Sequence, residues 1–162
     1  MYLMAEFNVE TLFHDQLVIA VGSHNQLARH RKISLADLVD EPWILASPHS
    51  WNYSCLVEAF DRCGLDPPKA SLMTFSVAVR THLLTKGPYL TSFGRSAMLL
   101  NPNQQSLRIL PVDLPLRPWP FVVLTLRDRA LSPAVDRFIQ SAREVASDLS
   151  KIGKPKSQLV SR

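Results

Sequence analysis

Two continuous apolar runs of β-type residues, 17–21 (LVIAV) and 121–126 (FVVLTL), constrain this chain more than any other feature. The first is closed by Gly22, and the second is the most strongly β-forming run in the sequence. Short apolar runs bounded by turn residues are the mark of buried strands. Between them, strand-like and helix-like segments alternate. Residues 43–46 read as a short buried strand after Pro42. Residues 51–63 carry Cys55, Leu56, Ala59, Phe60 and Cys63 at helical spacing, with Gly64 as a stop and Pro67 and Pro68 forbidding continuation. A strand is expected at 70–75, then a helix capped by Ser76 and running through Val77, Val79, Leu83 and Leu84 to Lys86, Gly87 and Pro88. Residues 89–93 are strand-like, 96–100 make one or two helical turns, and 107–112 form a strand. Such alternation predicts an α/β layer structure around a mostly parallel sheet.

The placement of the two runs adds a topological expectation. They bracket the middle block, as two crossing strands running side by side would bridge an inserted lobe to the rest of the fold. Residues 111–120 hold four prolines and must form an extended connector. Ser132 and Pro133 open a long helix with apolar positions Val135, Phe138, Ile139, Ala142, Val145, Ala146 and Leu149. Ser34 is placed to cap a short helix over 34–39, with Asp37 in the capping-box position. Residues 1–12 show no clear period, with Met1, Tyr2, Leu3 and Met4 apolar at the very end, and 151–162 read as a disordered polar tail.

Several function classes are disfavoured. A hydrophobic content of 46% with 20% charged residues over 162 positions describes a soluble globular chain, one domain or two small lobes. The net charge of +4 is concentrated at Arg29, His30, Arg31 and Lys32 and in Lys151, Lys154, Lys156 and Arg162. A solvated turn explains the first cluster better than phosphate contact. Cys55 and Cys63 sit eight residues apart in one expected helix. That separation is roughly 12 Å, beyond the about 4.4–6.8 Å of a disulfide, so free buried thiols and a reducing, cytoplasmic setting are expected. No apolar run approaches the roughly 20 residues of a membrane helix, and no leader pattern is visible. Catalysis finds no support. Ser92 lacks the glycine of a nucleophile elbow, the five glycines are scattered singly, and His14, His24, His30, His49 and His82 form no zinc pattern. No catalytic residue, cofactor or metal is therefore expected.

The order of particular blocks is more specific. LFHDQLV at 12–18 is followed by His24, Leu27 and Ala28, then by Ser34, Leu35, Asp37 and Leu38 with Pro42 and Trp43. Later come Ser76 and Val77, then Leu110, Pro111 and Val112, then Leu131, Ser132, Pro133, Ala134, Phe138 and Ile139. In this collinear order over 12–146 the chain resembles the effector-binding domain of LysR-type transcriptional regulators. The resemblance implies an α/β fold like the type-II periplasmic binding proteins, with one nearly complete lobe plus a partial second lobe. It places the effector-binding domain at 1–150, with 23–115 as one lobe and 12–22 and 116–150 as crossover strands and the remnant of the other. It also implies truncation, the family's N-terminal winged helix-turn-helix being absent, and exposed apolar surface that favours homo-oligomers. The sequence departs from the family around 87–94, where Tyr89, Thr91 and Gly94 replace a glycine, a small apolar residue and a proline. That change puts the usual pocket wall in doubt and offers hydroxyls to a ligand instead.

The resemblance places a ligand in an interlobe cleft, at strand ends and helix N-termini, where free backbone N–H groups accept an anion such as a carboxylate. The effector-binding candidates are Ser47, His49, Ser50, Trp51, Thr74, Phe75, Ser76, Ser92 and Phe93. Ser50 and Ser76 are read equally well as helix caps, Trp51 as a packing residue and His49 as a surface histidine. The expected function is ligand sensing in transcription regulation. Its partners would be a small-molecule effector and a second copy of the chain, with DNA reached only through the missing N-terminal domain and no membrane contact. A stand-alone solute-binding module and a fragment acting only in protein–protein association are the alternatives.

Overall fold

The computed structural model describes residues 6–152. The apolar end 1–4 and most of the polar tail lie outside the described residues. In chain order the elements are β1 (Phe7–Asp15), β2 (Leu17–Gly22), β3 (Trp43–Leu45), α1 (Trp51–Arg62), β4 (Ala70–Met73), α2 (Val77–Lys86), β5 (Leu90–Gly94), α3 (Arg95–Leu99), β6 (Leu107–Ile109), β7 (Trp119–Leu126) and α4 (Pro133–Ile152). They fall into two compact units, one spanning Gln16–Arg117 and the other built from the residues on either side of it.

The Gln16–Arg117 unit holds a five-stranded sheet in the order β4-β3-β5-β2-β6. Strands β3 and β4 run parallel, as do β3 and β5, while β2 is antiparallel to both β5 and β6. Four strands thus share one direction, as the alternation predicted, and β2 opposes them. All six residues of β2 are buried. One face of the sheet packs Val18, Ala20, Phe93 and Leu107 against Leu84 of α2 and Met98 of α3. Trp43 is fully buried, meets Phe60 of α1 edge-on at 6.0 Å, and donates from Nε1 to the Leu38 carbonyl at 2.7 Å. The expected helix at 34–39 is a single 3-10 turn, Leu35–Leu38, closed by a capping box between Ser34 and Asp37. Helix α1 stops where Gly64 adopts φ +68°, a conformation that costs glycine little. Both cysteines are free thiols, but only Cys55 is buried; Cys63 caps the helix end and is exposed.

Three expectations need correction. The runs 17–21 and 121–126 do not lie side by side. The second belongs to β7, which pairs antiparallel with β1 from Phe7↔Leu126 to Asp15↔Trp119, and β2 belongs wholly to the Gln16–Arg117 unit rather than to a crossover. The first part of β1 was hidden because Asn8, Glu10 and Thr11 break any apolar period, and an irregularity between Thr11 and Phe13 shifts its register; only its end, 12–15, lay within the expected crossover segment 12–22. In α2 the sheet-facing residues are Arg80, Thr81 and Leu84, whereas Val77 and Val79 are exposed. Strand β4, expected as an ordinary strand, is a sheet edge with all four residues exposed.

In the other unit, Phe13 stacks on Phe121 at 4.8 Å, and α4 buries Ile139, Ala146 and Leu149. Arg143 of α4 grips Glu10 of β1 through two hydrogen bonds of 2.7 and 2.8 Å. The Arg143 hydrogen bond holds the Glu10 carboxyl below its ordinary value. A depressed carboxyl contributes stability above its unfolded pKa and loses it as pH falls through the folded value. Because the pair is exposed, the effect is small. The melting-temperature difference between the wild type and Glu10→Gln is therefore expected to be slight near neutrality and to vanish in acid. Among the described residues no helix is long and apolar enough to cross a membrane.

Candidate functional site

Because β3, β4 and β5 run in the same direction, their carboxyl ends share one edge of the sheet. A helix begins just beyond each: α1 after Ser50, α2 after Ser76 and α3 after Gly94. Helix N-termini present unpaired N–H groups and the positive end of the helix dipole. The strand order also reverses here, since β3 leads outward to β4 while β5 leads the other way to β6. In open α/β sheets, ligands settle outside the carboxyl ends at such a switch point.

The candidate residues occupy this edge unequally. Ser50 Oγ accepts from Tyr53 N at 3.2 Å and donates to the Ser47 carbonyl at 2.7 Å, so it both caps α1 and ties down the preceding loop. Ser47 Oγ accepts from His49 N at 3.5 Å, and His49 itself is exposed. Thr74 Oγ1 accepts from Ser76 N, and Ser76 Oγ accepts from Val79 N, each at 3.2 Å. Ser92 is buried, and its Oγ donates to Asn52 Oδ1 at 2.5 Å, fastening β5 to the first turn of α1. Phe93 is buried in the sheet core. The structure therefore gathers Ser47, Ser50, Thr74, Ser76 and Ser92 at one strand edge.

The aromatic residues behave differently. Trp51 is 66% exposed and Phe75 69% exposed, so the packing expectation for Trp51 does not hold. Thr91 does not aim its hydroxyl at a ligand. It is fully buried and donates to the Ile44 carbonyl at 2.6 Å, bridging β5 to β3.

Two further residues belong to this edge and were missed in the sequence. Asn52 is one, through its bond to Ser92. The other is Arg80, 6% exposed, whose Nη1 donates to the Ser92 carbonyl at 3.0 Å and whose guanidinium lies 4.6 Å from the Phe93 ring centroid. A signal existed for Arg80. It sits four residues before Leu84, on what should be an apolar stripe, and a charge there calls for an explanation.

Three concavities of this unit enclose none of these side chains, though one reaches Val77 at the start of α2. One of about 510 Å3 is lined by His24, His30, Glu41 and Lys86, and another of about 900 Å3 follows the outer side of α2 past His82 and Asn101. A smaller one, about 310 Å3, is lined by Arg95 and Asp113. All are open grooves, and none gathers the N-termini of α1 and α2 together. Among the described residues no group of three or more metal-ligating side chains occurs.

The caps can be checked separately from any ligand. Ser50→Ala and Ser76→Ala should each cost about 0.5–2 kcal/mol in urea unfolding, through loss of the bonds to Tyr53 N and Val79 N.

Comparison with known proteins adds the following. Residues 3–147 match the family model for the LysR substrate binding domain. The HTH-type transcriptional regulator GbpR of Azospirillum brasilense is 29% identical over 143 residues, covering 88% of this chain and 42% of that protein. The chain thus spans less than half the length of this curated relative. Among solved structures, the CcmR regulatory domain of Synechocystis PCC6803 in complex with 2-PG is similar with a TM-score of 0.70 at 19% identity, over 89% of this chain and 69% of that one. The effector binding domain of QuiR in complex with shikimate gives 0.65 at 17% identity, over 91% and 69%.

Proposed function

The chain belongs to the LysR substrate-binding domain family, and from that footing we propose that it senses a small-molecule effector at the carboxyl edge of the Gln16–Arg117 sheet. It is a binding domain of a transcriptional regulator and not an enzyme. The observation that carries the site is the opening of α1 and α2 at the same carboxyl edge of the sheet, with capping Ser50 and Ser76 and the part-buried Ser92–Asn52 pair. This environment suits an anionic group such as a carboxylate, because N–H groups and the positive ends of helix dipoles face it. Ser47, His49, Trp51, Thr74 and Phe75 surround the same loops and are proposed as contacts of second rank, with Phe93 supporting from beneath. QuiR was solved with shikimate and CcmR with 2-PG, which makes small polar ligands the first to try.

The intact regulator would act in the cytoplasm, shifting between arrangements of different effector affinity. Operator contact is proposed to fall outside this domain. Association with a second copy is proposed as well. Val9, Phe121, Val122, Leu124 and Phe138 are all at least 40% exposed, a large apolar display for a domain of this size. Sedimentation equilibrium should give a dimer or larger species, and a strictly monomeric chain at high concentration would refute that part.

Sensing is tested by thermal denaturation against small carboxylates and their neutral counterparts. A true ligand raises stability with the logarithm of its concentration once above its Kd, by about 2.7 kcal/mol at 100 times its Kd. A chain indifferent to every member of a broad metabolite set would leave association as its activity.

A further inference from the structure

Arg80 is a buried cation, 6% exposed, and no carboxylate acts on it: the ion pairs of Arg62, Arg143 and Lys151 do not involve it, and burial is what shifts its pKa. Its guanidinium makes one hydrogen bond, to the Ser92 carbonyl, and its buried Nε has no partner. The Phe93 ring beneath offers a weak cation–π contact. Burial lowers the Arg80 pKa, but an arginine stays protonated in proteins. Desolvating an unpaired charge is costly, and buried charges in folded proteins are ordinarily paired.

The side chain also has a direction. Arg80 is the fourth residue of α2, and helical side chains lean toward the helix N-terminus. It therefore reaches back along α2 to the end of β5, as its bond to Ser92 shows. At that place Thr91 already bridges β5 to β3, and Ser92 already bridges it to α1. The positive end of α2, the capped first turn of α1 and an unneutralised guanidinium thus meet at one strand end.

We propose that Arg80 is the specificity-determining cation of the effector site, and that the effector carries an oxyanion, a carboxylate or a phosphate, that completes its hydrogen bonding. This rests on the sensing reading above and narrows it to a ligand class and a residue. Arginine suits the task because its planar fork of donors matches an oxyanion in pairs. The unliganded protein keeps the charge at a cost, and the ligand relieves it.

The test compares the wild-type chain with Arg80→Met and Arg80→Lys in thermal denaturation at fixed ionic strength. The probes are benzoate, inorganic phosphate and benzamide, the last being the neutral counterpart of benzoate. The wild-type melting temperature should rise with the logarithm of benzoate or phosphate concentration and should not rise with benzamide. In Arg80→Met the apparent affinity for that oxyanion should fall at least about tenfold, and Arg80→Lys should keep part of it. Without oxyanion, Arg80→Met should melt no lower than the wild type by more than about 4 °C. Equal oxyanion responses in the wild type and Arg80→Met would overturn the proposal. So would a larger fall in Arg80→Met melting that Arg80→Lys restores without any oxyanion response, since the guanidinium would then be structural. No wild-type response to either oxyanion would also overturn it, while stabilisation by benzamide or another neutral compound would leave the sensing reading standing.

Discussion

Replacing Trp43 with alanine is expected to remove about 3–5 kcal/mol of stability, the range for deleting a large buried aromatic side chain. Trp43 is fully buried at the start of β3, edge-on to Phe60, and its Nε1 satisfies the Leu38 carbonyl at the end of the 3-10 turn. The substitution empties the space between sheet and α1 and leaves the Leu38 carbonyl only the longer bond it accepts from Glu41 N at 3.4 Å. Since small domains hold only about 5–15 kcal/mol in total, much of the margin would go. Trp43→Phe should lose less, keeping a ring but not the hydrogen bond. Urea unfolding decides the matter, and a loss below about 1 kcal/mol for Trp43→Ala would be incompatible with so closed a position.

Gly22→Ala is the second large effect. A Cβ at Gly22 would lie 2.0 Å from the Leu84 carbonyl oxygen and 3.0 Å from its carbon, both backbone atoms of α2. No side chain can swing aside. Strand β2 is held by β5 on one side and β6 on the other, so α2 must move. A cost of at least about 1–3 kcal/mol is expected, as for overpacking elsewhere. Displacing α2 would also carry Ser76 and Arg80 away from Ser92, so effector binding should weaken beyond what lost stability explains. An alanine variant as stable as the wild type would mean that β2 and α2 are not this close.

How much of this was legible beforehand depends on where each residue's surroundings come from. The cap at Ser50, the stop at Gly64 and the capping box at Ser34 and Asp37 are local events, and local chemistry announces them. The buried run β2 was plain from apolar continuity. The partner of β7 was not, because strand pairing is decided far along the chain and β1 carries mostly polar residues. The same holds for the site. Ser50 and Ser76 were visible as caps before helices, whereas Asn52 acquires its role only from Ser92, forty positions away. Trp51 shows the converse, since an aromatic at a helix start reads as core until its face is seen to be exposed. Thr91 was misread for the same reason: its partner is a carbonyl of β3, which the local sequence cannot reveal.

A small-molecule effector is proposed to bind where α1, α2 and β5 meet. Amide chemical-shift mapping of the intact chain during titration with shikimate and benzoate tests it most directly. Saturable shifts centred on Tyr53, Val79, Ser92 and Phe93 are expected, with the Arg80 side chain among them. Shifts centred instead on the groove of His24, Glu41 and Lys86, or no saturable shift at the strand edge with any carboxylate, would contradict it.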